Sequence, residues 1–238
     1  KLKSIKTGNS IYEKLGYSNL GIFNVFTIYL FVGISSFFAE NIVNRTSLKK
    51  AMGIYSFGYS LFLIACLLTS ACSGNDLFYC KSPIIYIGNL IGAITTGIAC
   101  PIILSSGLQY VENLTDVTCK SRFTGTYVAM IVSSNMFGSI LATFLLRYTS
   151  NFIFFLVLTI LSITACLSFF LLPDNNEKKS KEPINVSESL KKLRILLQNS
   201  LVIKLCLVLV FEGIVMGIYA VYLFSVLDFT LVANLPDN

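Results

Sequence analysis

Histidine is absent from this chain, and with it the commonest general base and metal ligand in proteins. The seven cysteines lie at 66, 72, 80, 100, 119, 166 and 206, with no C-x-x-C or other metal-ligand spacing among them. Most of those inside the apolar stretches read as small apolar fillers. No nucleophile–base or metal constellation remains, so an enzyme is the least supported function and no cofactor is expected. Charge is missing over long distances. Leu15 to Ala39, Ala51 to Asn75, Ser82 to Val111, Phe123 to Leu146 and Tyr148 to Pro173 carry none, and Leu205 to Leu227 carries only Glu212. A helix rises ~1.5 Å per residue, so roughly 20 apolar residues cross a ~30 Å hydrocarbon core. Each stretch is long enough. With 55% hydrophobic residues and a mean hydropathy of +0.75, no soluble core could bury them all. The fold class that follows is an all-α, multi-pass membrane protein with six predicted transmembrane helices.

The charges that exist sit in the gaps. A net charge of +6 could suggest nucleic acid, but the lysines form no compact patch interleaved with aromatics, so no nucleic-acid partner is expected. The first, third and fifth connections hold Arg45, Lys49 and Lys50, then Lys120 and Arg122, then six more between Lys178 and Arg194. That puts eleven basic residues on one side against six on the other. Positive-inside bias assigns the richer side to the cytoplasm and both chain ends to the outer or luminal face. Lys1, Lys3, Lys6 and Lys14 oppose that placement unless residues 1–17 are an external loop after a further helix. The chain opens on Lys1 rather than methionine, with no signal peptide, so a fragment, processed form or truncated product is expected. The sequons at Asn44, Asn113 and Asn185 fall on the cytoplasmic side and should be unmodified.

Within the spans, Pro101 cannot donate to the carbonyl of Gly97, which marks a bend and a candidate hinge. Gly53, Gly88, Gly92, Gly125, Gly138 and Ser139 are small sites suited to close helix approach. Ser133, Ser134 and Asn135 make the fourth span the most polar; Asn135 either lines a cavity or bonds a neighbouring helix. Glu212 is a candidate coupling group or a structural hydrogen-bond partner, since a mid-membrane carboxylate must be paired, hydrated or protonated. Cys72 and Cys80 bracket a short external loop where a disulfide is chemically allowed. Pro173 to Pro183 has linker composition. After it, Leu190, Leu193, Leu196 and Leu197 recur opposite Lys191, Lys192 and Arg194, a basic amphipathic helix suited to an anionic leaflet.

Glu40 to Lys50 resembles the G-x-x-x-D-R-x-G-R-K turn of the major facilitator superfamily, keeping Arg45, Lys49 and Lys50 but placing Glu40 at the glycine and Asn44 at the aspartate. Together with Ile28-Tyr29-Leu30, Ser35 to Ala39, Ile42-Val43-Asn44-Arg45, Gly58 to Phe62, Tyr110-Val111-Glu112 and Arg122 to Gly125, it is similar to the UNC-ninety-three-like ion-channel regulatory family. The resemblance covers residues 15 to 145. It implies a partial major-facilitator-type bundle corresponding to the second to seventh helices. Residues 1–172 would form an external segment and five helices, 173–200 a cytoplasmic linker, and 201–238 the first helix of a second half with an external tail. It also implies a regulator or trafficking escort whose partner is an ion channel or other membrane protein, surrounded by membrane lipids in the plasma membrane or an endomembrane. A major-facilitator solute transporter and a truncated product without independent activity are the alternatives, and oligomeric state is left open.

Overall fold

The computed structural model describes residues 19–72, 78–115, 119–173, 198–200, 202–204, 207, 208, 210 and 211. The chain divides into two units, residues 8–181 and residues 1–7 with 182–238. Among its described residues the first holds five helices long and apolar enough to cross a membrane: α1 Leu20–Arg45, α2 Leu48–Ala71, α3 Ser82–Leu114, α4 Lys120–Tyr148 and α5 Asn151–Phe170. A 3₁₀ turn, Phe78–Cys80, precedes α3. In the second unit the described residues are helical from 200, and Ile203 N donates to Asn199 O at 3.1 Å. The linker, the basic amphipathic segment, most of the sixth span and Glu212 lie outside the described residues.

Local chemistry explains the helix starts. Ser47 and Ser150 are N-caps whose side chains accept from the backbone N–H three residues on. Pro83 sits in the first turn of α3, where its missing N–H leaves no carbonyl unserved. The helix ends differ from the charge-free stretches. α1 continues through Glu40 to Arg45, α2 begins before Lys49 and Lys50, and α4 takes in Lys120, Arg122 and Arg147. Backbone hydrogen bonding does not stop at the edge of the hydrocarbon, and long charged side chains there reach outward to the headgroups.

The bundle is packed inside-out relative to a soluble protein. Along α1, Asn24, Thr27 and Ser35 are buried at 2%, 5% and 6% exposure, while Phe26, Tyr29 and Phe37 stand out above 60%. In α2 and α3 the buried positions are again small or polar, among them Ser56, Gly58, Thr69, Asn89, Thr96 and Gly97. Water would reverse this arrangement; lipid favours it, since tails solvate the large apolar side chains and close packing falls to small ones. α3 lies between α1 and α2, and α2 packs on its other side against α5. Larger side chains close the two ends. Leu20, Ile85, Phe154 and Phe155 cluster at one, Val43, Met52, Ile102 and Tyr110 at the other. α4 buries no residue. It is held by an ion pair from Lys120 to Glu112 of α3 (2.8 Å), by Tyr127 over Gly107, and by Ala142, Leu145 and Leu146 against the first cluster.

Candidate functional site

A close three-helix crossing surrounds the middle of α3. A proline inside a helix leaves the carbonyl four residues back without its donor, and for Pro101 that carbonyl is Gly97 O. Ser35 of α1 supplies the donor: its single hydroxyl proton is shared between Gly97 O at 3.0 Å and its own Phe31 O at 2.6 Å. α1 comes this close because Gly97 has no side chain. A Cβ there would lie 2.6 Å from Phe31 Cβ and 2.7 Å from Ile28 O. On the opposite flank Gly58 of α2 meets Thr95 and Ala99, and Thr96 Oγ1 donates to Gly58 O at 3.1 Å. Glycine on both flanks thus admits α1 and α2, and each crossing carries a hydroxyl-to-carbonyl bond. α3 passes through Pro101 as one helix. The candidate hinge of the sequence therefore sits at a closely packed crossing, with its spare carbonyl already occupied.

A second polar node lies two turns nearer the start of α3. Asn89 Nδ2 donates to Thr69 Oγ1 of α2 at 2.8 Å and to Ile85 O at 2.9 Å. Its Oδ1 accepts from Asn24 Nδ2 of α1 at 3.3 Å and lies 3.8 Å from Cys66 Sγ. One amide therefore joins three helices. Asn24 Oδ1 is buried with no partner among the described residues, as is Asn41 Oδ1. Next to this node Cys72 and Cys80 are joined in a disulfide with Cα atoms 5.2 Å apart, tying the end of α2 to the turn before α3.

The other residues singled out from the sequence are scattered. Asn135 lies on the exposed face of α4, and its side-chain amide makes no hydrogen bond among the described residues. Nearby hydroxyls return to their own helix, Ser134 to Ile131 O and Ser139 to Asn135 O. An open groove of ≈ 390 Å³ runs beside Ser139, Thr143 and Arg147 on the same helix. Asn44, Arg45, Lys49 and Lys50 flank the α1–α2 turn and take no part in either polar node. Gly53 packs on Phe170 and Gly92 on Phe62, whereas Gly88, Gly125 and Gly138 have nothing within 4 Å of an added Cβ. Ser35, Asn24, Thr69 and Asn89 were not legible as site residues. Only the orphaned Gly97 carbonyl, read from Pro101, signalled that a donor was needed there.

A family model described as Major Facilitator Superfamily matches residues 7–236. No curated protein and no solved structure matches the chain.

Proposed function

We propose that this chain, which belongs to the major facilitator superfamily, acts on another membrane protein, as a channel regulator or trafficking escort, without carrying a solute itself. One observation carries the reading. Among the described residues Asn24, Ser35, Ser60, Asn89 and Thr96 hydrogen-bond to neighbouring helices, Ser56, Ser70 and Ser106 bond to carbonyls of their own helix, and no Asp, Glu, Lys or Arg is buried within these spans. A carrier has to offer polar groups to a solute and release them again; here Ser35, Thr96 and Asn89 are committed to backbone and side-chain partners. Two independent arguments support one orientation for it. Basic residues concentrate at the α1–α2 and α3–α4 connections, which favours the cytoplasm for that end. The Cys72–Cys80 disulfide belongs to an oxidising compartment, which favours the outer or lumenal side for the other.

The solute-carrier reading draws on α4, where the Asn135 amide and the groove beside Ser139 and Thr143 are unoccupied by the other described helices. Purified protein in sealed proteoliposomes separates the two. Across a panel of amino acids, sugars, organic anions and organic cations, we expect no flux above protein-free vesicles. Saturable flux that Glu212→Gln or Asn135→Leu reduces would overturn the regulator reading in favour of transport.

A further inference from the structure

The basic residues at the proposed cytoplasmic end are not equally neutralised. Lys120 is paired with Glu112 at 2.8 Å, which leaves Arg122 as a single exposed cation without a described carboxylate partner at the α3–α4 connection. Arg45 and Lys50, on either side of the α1–α2 turn, are exposed and have no carboxylate partner among the described residues. The nearest acid in sequence, Glu40, is five residues before Arg45 and so about 140° around the helix from it. The turn between them is short and fixed. Thr46 N donates to Ile42 O and Val43 O at 3.1 and 3.2 Å, and Ser47 Oγ accepts from Lys50 N at 3.4 Å. Because this turn joins two membrane-crossing helices directly, its side chains stand at headgroup depth rather than in bulk water.

We infer that Arg45 and Lys50 form a headgroup site for an anionic phospholipid of the cytoplasmic leaflet. The guanidinium fork matches two phosphate oxygens, and the ammonium adds a second positive charge five residues on. Charge complementarity with that leaflet selects the lipid as the occupant, because the turn lies in the headgroup layer itself. The site stands whether or not the chain carries a solute.

The full chain in nanodiscs of phosphatidylcholine with a minor fraction of phosphatidylserine tests it, with retained lipid counted by native mass spectrometry. We expect phosphatidylserine to be enriched roughly thirtyfold over its bulk fraction, the factor that two surface cations supply. Arg45→Gln with Lys50→Gln should reduce the enrichment to near unity. Arg45→Lys should keep part of it, and Arg122→Gln, an exposed cation on the first turn of α4, should leave it unchanged. A thermal melt in detergent matching that of the parent chain reports that each variant has folded. Equal losses from Arg122→Gln and the double variant would mean bulk attraction without a site, and would overturn the inference. So would displacement of the lipid by millimolar inorganic phosphate, which would identify a soluble anion as the ligand.

Discussion

Gly97→Leu is expected to part α1 from α3 and to leave no stable bundle. The added Cβ would meet Phe31 Cβ at 2.6 Å and Ile28 O at 2.7 Å, and neither is the movable end of a side chain. Overpacking of this kind costs ~1–3 kcal/mol for small additions and more when backbone must shift. The shift would also pull Ser35 Oγ from the Gly97 carbonyl that Pro101 leaves without a donor. Even Gly97→Ala should destabilise, because alanine's helix advantage of ~1 kcal/mol is smaller than the steric loss. Gly88→Ala is the control. Nothing lies within 4 Å of its added Cβ, so the melting temperature should hold or rise slightly. Thermal unfolding in detergent reads both. If Gly97→Leu melts where the parent chain does, the α1–α3 crossing is not as described.

Asn89→Leu should be nearly as damaging, and a second substitution should then restore what it removes. The single change withdraws the partner of Asn24 Nδ2, whose Oδ1 already has none, and leaves Thr69 Oγ1 without its donor. Each buried polar group left unsatisfied costs ~1–3 kcal/mol, whereas replacing both partners by apolar groups of similar shape is close to neutral. Asn24→Leu with Asn89→Leu should therefore melt above Asn89→Leu alone, by about 3–8 °C for a chain of this size. That sign is what a joined network predicts and independent sites do not. Simple addition of the two losses would mean that the amides do not meet.

How much of this was legible in the sequence depends on which physical fact each feature rests on. The spans were readable because an unpaired charge in hydrocarbon is costly, so a missing charge over twenty residues leaves few alternatives. Their ends were not, because Glu40, Lys49 and Lys120 can extend to the headgroups from within a helix. Pro101 announced an unsatisfied carbonyl, yet nothing local named Ser35, 62 residues away, as its donor. Asn135 stood out beside two serines and faces outward, while the equally polar Asn24 and Asn89, 65 residues apart, meet in the interior. A single chain displays one side of each tertiary contact, and polarity alone does not give its direction. The glycines divide likewise: Gly53, Gly92 and Gly97 admit neighbours, and Gly88 does not.

Native cysteines supply the most direct test of a bundle that crosses the membrane with its basic turns in the cytoplasm. Cys119 is exposed at the start of α4, on the basic end, and Cys72 and Cys80 are bonded at the opposite end. In sealed cells or vesicles of known sidedness, a membrane-impermeant maleimide should leave Cys119 unlabelled from the outer or lumenal side until detergent is added, with Cys119→Ser as the reference. An impermeant reductant applied from that same side should then make Cys72 and Cys80 reactive. Labelling of Cys119 from the outer side, with Cys72 and Cys80 reached only from the cytosol, would contradict the account.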